Sequence, residues 1–115
     1  MDLDQVLSLL QKEKELLAQV VDLAECQLEL IESGRLEDFD VLLSLRAEPM
    51  IQLANIETDF GEEMLQIGNN LSPIESCELQ ELNTQIIAMA NRIVEIDQKS
   101  ERLAEEHHFC ISWPF

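Results

Sequence analysis

The chain has 115 residues, a formal net charge of −17 from 24 acidic and 7 basic side chains, and 46% hydrophobic residues. One domain fits that length, and three Gly, three Pro and no Tyr exclude an all-β fold rich in turns and aromatic strands. So acidic a surface repels nucleic-acid phosphates and anionic lipid headgroups, which removes both as expected partners.

A first helix is predicted from about Asp2 to Ser33. With Leu3 at heptad position a, Leu10, Leu17, Ala24 and Ile31 follow at a, and Leu9, Leu16, Leu23 and Leu30 precede them at g. Val6 and Val20 occupy d, and Leu7, Val21 and Leu28 occupy e. The apolar sector is far wider than an a/d seam, so this helix must touch two neighbours. Ser33-Gly34 ends it, with Gly34 suited to a left-handed C-cap. A connection this short folds the next helix back antiparallel.

The second helix is predicted from about Leu36 to Gly68. Phe39, Leu42, Leu43, Met50, Leu53, Ile56, Phe60, Met64 and Ile67 mark its apolar positions. Pro49 lies inside it, where it removes a backbone donor and crowds the carbonyl of Leu45, so a kink or a restart is expected there. Gly68-Asn69-Asn70 then turns the chain. Ser72-Pro73-Ile74-Glu75 opens the third helix with a capping serine, a proline at the first helical position and a glutamate completing a capping box. Leu79, Leu82, Ile86, Met89, Ile93, Ile96 and Leu103 form its seam, interrupted by Ser100.

The expected fold is all-α: an antiparallel long-helix hairpin or three-helix bundle, coiled-coil-like, in a single domain over residues 1–106. Residues 107–115 form an apolar C-terminal tail containing Phe109, Ile111, Trp113 and Phe115. Two readings of the tail stand side by side: a plug folded onto the bundle's own groove, or an element that meets a partner.

No catalytic constellation emerges, so no enzyme activity, cofactor or metal is expected. Glu105, Glu106, His107, His108 and Cys110 include ligand types, but adjacent histidines on a helix point about 100° apart and no second chelating pair completes a site. Cys110 near those histidines lacks a group to orient a base. Cys26, Cys77 and Cys110 are widely spaced, which fits a reducing cytoplasm, and Cys26 and Cys77 are expected to pack as small hydrophobes. Asp2 and Asp4 stand where a signal peptide carries basic residues, so none is expected. No apolar run approaches the ~20 residues of a membrane span.

The stretch Leu28-Glu29-Leu30-Ile31-Glu32-Ser33-Gly34-Arg35-Leu36-Glu37-Asp38-Phe39-Asp40-Val41-Leu42-Leu43-Ser44-Leu45-Arg46 places a Gly-containing turn between two long helices, the second carrying Leu-x-Leu-Arg. In this, and in helix order over roughly residues 3–105, the chain resembles the FlgN/FliT-type flagellar export chaperones. The resemblance implies an acidic, all-helical cytoplasmic protein. It would hold the amphipathic, disordered end of a secreted flagellar subunit, of the hook–filament junction or filament-cap type, and meet the export apparatus. By position, it implies a client-facing seam of Ile86, Met89, Ile93, Ile96 and Leu103; Phe109 and Trp113 of the tail join these as candidate partner contacts. On that expectation Ile93→Asp abolishes client capture. The competing expectations are a structural coiled-coil module whose excess apolar face closes a homodimer, and a regulatory adaptor.

Overall fold

The computed structural model describes residues 1–106, and the tail, with Phe109 and Trp113, lies outside the described residues. Three helices account for nearly all of them: α1 (Leu3–Glu32), α2 (Phe39–Gly68) and α3 (Pro73–Glu106). They run up, down and up as an elongated bundle of 53 × 22 × 17 Å. The all-α, three-helix expectation holds.

Local chemistry sets each helix end. The Gln5 backbone N–H donates to Asp2 Oδ1 and the Asp2 N–H donates to Gln5 Oε1, both at 2.9 Å, a capping box that starts α1. Glutamine at the third helical position signals this motif, yet it was not among the expected caps. At the other end the Gly34 N–H donates to the Ile31 carbonyl at 3.1 Å and the Arg35 N–H to the Leu30 carbonyl at 2.8 Å. This is the Schellman pattern, and Gly34 supplies its left-handed residue at φ 71°. The predicted capping box of α3 is present: the Ser72 N–H donates to Glu75 Oε1 at 3.1 Å and the Glu75 N–H to Ser72 Oγ at 3.3 Å. The bond from the Ser72 N–H, then that from its hydroxyl, hold the Glu75 carboxyl below its ordinary range.

Two details differ from expectation. Helix α2 begins at Phe39, later than the predicted Leu36. The Phe39 N–H bonds the Leu36 carbonyl in a turn, which lets both side chains pack with Leu30, Ile31 and Ala104. Secondly, Cys26 and Cys77 are exposed rather than packed as small hydrophobes, because each sits on the outward side of its helix. Pro49 is buried within α2, which continues through it as one helix.

Helix α1 is the spine, packing along both α2 and α3, whereas α2 and α3 approach each other only marginally. Its wide apolar sector dictates this. Val6, Leu10, Leu16, Leu17, Val20, Ala24, Leu30 and Ile31 are all buried. In the middle of the bundle Leu17 and Val20 meet Ile93, with Leu53, Ile86 and Met89 around them. At the α1–α2 turn, Leu30 and Ile31 meet Phe39 and Ala104, with Leu103 packed alongside.

Candidate functional site

The bundle is closed at one end and open at the other. On α2 the buried residues are Phe39, Arg46 and Pro49, all in its first half, and on α3 they are Ile93, Ile96, Ser100 and Ala104, all in its second half. Those two halves lie at the same end. Beyond them the side chains that α2 and α3 set against α1, among them Leu53, Met64, Leu79 and Ile86, are only half-buried, and a groove lies between the helices.

At the closed end a polar clasp joins the helices. Arg46 of α2 is 1% exposed. Its Nη1 donates to Gln27 Oε1 of α1 at 2.8 Å and to Asp97 Oδ1 of α3 at 3.0 Å, and its Nη2 donates to Asp97 Oδ2 at 2.9 Å. The fork fits a carboxylate bidentately, which fixes the rotation of α2 and α3 about their axes. Sequence reading picked out Arg46 only as part of a motif; a lone arginine among leucines carries no signal that its partner lies 51 residues away.

At the open end the groove, of about 360 Å³, draws on all three helices. Val6 and Leu10 of α1, Met64 and Leu65 of α2, and Leu79 of α3 supply its apolar surface. Glu13 of α1 and Glu57 of α2 stand in the same wall system. A methyl placed on Gly68 would come within 3.3 Å of Leu79 Cδ2, so glycine lets the end of α2 draw close to α3 there. A depression of about 440 Å³ on another flank, at Met1, Leu9 and Phe60, involves only α1 and α2.

Helical spacing extends the groove along the bundle. On α3, Asn83 in the groove and Asp97 in the clasp belong to one seven-residue row through Ala90, so that row faces α2. The adjacent row runs Gln80, Ile87, Val94, and Ile87 and Val94 are 60% and 52% exposed. On α2 the row ending at Gly61 and Gly68 passes through Ala47 and Ala54, and the adjacent row carries Ile51 and Leu65, both exposed. Small residues, Ala47, Ala54, Gly61, Gly68 and Ala90, thus recur on the rows along the α2–α3 seam, and exposed aliphatic side chains stand on the rows beside them.

The sequence-predicted contact residues fall in different places. Ile93 and Ile96 are buried in the core, Ile86 and Met89 are half-buried against Leu17 and Val20, and Leu103 is half-buried against the turn cluster. The residues on α3 that face outward along the seam, Ile87 and Val94, were not among those predicted. The signal for them was present: both are aliphatic and stand off the 3-4 seam, which is where a residue has no partner in its own bundle.

Electrostatics at the open end is one-sided. Burial pushes the Glu13 carboxyl above its ordinary range, and the neighbouring Glu57 carboxylate adds to it. A carboxyl raised in the fold costs stability once ionised; that cost is complete above its folded pKa and vanishes below the unfolded value near 4.5. Glu13→Gln is therefore expected to raise the melting temperature at pH 7 and to leave it unchanged near pH 4. Thermal unfolding followed by circular dichroism at both pH values checks this.

Among the described residues no helix is long and apolar enough to cross a membrane. No protein-family model, curated protein or solved structure matches the chain.

Proposed function

We propose that the protein is a binding chaperone that acts in the cytoplasm without catalysis, holding an amphipathic segment of a secreted flagellar subunit in the seam between α2 and α3. The observation that carries this is the open seam itself. A spine helix carries two others that barely touch each other, a groove lined by Leu65 draws on all three, and Ile51, Ile87 and Val94 stand exposed on the neighbouring rows of α2 and α3. An amphipathic helix laid there buries its apolar face at roughly 25 cal/mol per Å² gross, before ordering costs. The acidic exterior keeps such a sticky groove soluble. The flagellar assignment of the client, and contact with the export apparatus, rest on the resemblance of the helix–turn–helix stretch around Gly34.

The test is calorimetric titration of the full chain with terminal segments of hook–filament junction and filament-cap subunits. Binding of one segment per chain is expected, with a negative heat-capacity change. The double variant Ile87→Ser/Val94→Ser, at two exposed positions, is expected to weaken it at least about tenfold while remaining folded. Absence of binding by every flagellar segment would sink the flagellar assignment. Unchanged binding by the double variant would move the site off the seam. The alternative reading, a homodimeric coiled-coil module, predicts instead a stable dimer in sedimentation that the same double variant dissociates.

A further inference from the structure

We propose that the open end of the α2–α3 groove is built for a basic amphipathic helix, one that brings a Lys or Arg on the edge of its apolar face to lie between Glu13 and Glu57. The inference rests on the groove being the client site and specifies the chemistry of its occupant.

Three observations converge. The α2 and α3 sides of the open half come from one stretch of sequence, and between Pro49 and Arg92 that stretch holds Glu57, Asp59, Glu62, Glu63, Glu75, Glu78 and Glu81 but no Lys or Arg. The chain's own cations therefore cannot neutralise the walls from α2 or α3. Secondly, Glu13 and Glu57 reach the groove from different helices, and neither makes an ion pair or hydrogen bond among the described residues. Holding two carboxylates together beside Val6 and Leu10, where Glu13 is half-buried, is unfavourable in the empty groove. A cation arriving from outside removes that cost, so it gains more there than on open surface. Thirdly, Val6, Leu10, Met64, Leu65 and Leu79 give the groove aliphatic surface beside this pair, and its other polar residues, Asn69, Ser76, Gln80 and Asn83, are uncharged, so a purely charged peptide would leave Met64, Leu65 and Leu79 uncovered. Aliphatic groove and unpaired acids together call for aliphatic face and flanking cation. The same charge pattern disfavours a second copy of this chain, whose matching seam is equally acidic.

The experiment uses the full chain and three designed helical peptides of about 20 residues, long enough to hold helical structure when docked. They share a Leu/Ala face and differ only in one residue at its edge: Lys, Gln or Glu. Affinities are measured by fluorescence anisotropy with wild type and with Glu13→Gln/Glu57→Gln. The Lys peptide is expected to bind wild type about tenfold more tightly than the Gln peptide, and the Glu peptide most weakly. In the double variant the Lys preference is expected to fall to about one, with binding of the Gln peptide retained or improved. Equal binding of Lys and Gln peptides to wild type, or a Lys preference that survives in the double variant, would overturn the proposal. So would a dimer that excludes all three peptides. Flagellar segments that bind regardless of Glu13 and Glu57 would defeat this inference and leave the chaperone reading standing. A charge-selective groove that ignores flagellar segments would do the reverse.

Discussion

Asp97→Ala is expected to destabilise the protein by about 3 kcal/mol, at the lower end of the range for breaking a buried ion pair. The mechanism is asymmetric. Arg46 is 1% exposed, so removal of Asp97 takes a bidentate counter-charge away from a desolvated guanidinium. The lower end applies because the Asp97 side chain is itself 17% exposed, which lets some water reach the vacated site. For a domain of this size, whose whole stability is of order 5–15 kcal/mol, that is a large fraction. The ion pair itself is not a source of net stability. Desolvating both groups costs about what their attraction returns, and the triple variant Arg46→Met/Asp97→Leu/Gln27→Leu is expected to match wild type within about 1 kcal/mol or exceed it. Urea unfolding of the single and triple variants checks both statements. A triple variant as unstable as Asp97→Ala would show that the clasp contributes more than its desolvation removes. The clasp's role is specificity: it fixes which sides of α2 and α3 face each other, and so which residues rim the seam.

The second large effect separates two neighbouring residues on α3. Ile93→Asp is expected to cost upwards of about 4 kcal/mol, because Ile93 is 8% exposed and packs with Leu17 and Val20, where a carboxylate finds neither water nor a partner. Val94→Asp, one position on, is expected to change stability by no more than about 0.5 kcal/mol, since Val94 is 52% exposed. Far-UV circular dichroism and urea unfolding distinguish them. A cooperatively folded Ile93→Asp protein would show that α3 does not seat on α1 through this residue. The practical consequence is that loss of client capture by Ile93→Asp reports on folding, whereas loss by Ile87→Ser/Val94→Ser reports on the seam.

Much of the architecture was legible because it follows from local rules. The capping box at Ser72 and Glu75 and the left-handed cap at Gly34 involve residues within one turn of each other, so spacing alone reveals them. The late start of α2 was not, because the buried turn at Leu36 and Phe39 depends on Leu30, Ile31 and Ala104 arriving from two other helices. The candidate site was legible only in outline. Excess apolar surface points to a partner, but spacing does not say which apolar residues remain for it: Ile93 and Ile96, among the best-spaced on α3, are buried in the bundle itself. Regular spacing marks what packs best, and the spine helix claims that first.

By itself the sequence determined that the described residues are almost wholly helical, where α1 and α2 end and α3 begins, that α1 must have two neighbours and that the exterior is acidic. Each of these is a property of residues within a few turns, set by hydrogen bonding at helix ends, by the 3.6-residue period and by charge count. Only the tertiary structure decided that the bundle closes at the clasp end and opens at the other, and that Glu13 and Glu57 share a groove. Those facts depend on how far apart α2 and α3 lie once both are seated on α1. That separation is set by side-chain bulk and by the long-range ion pair between Arg46 and Asp97, and neither leaves a period in the sequence.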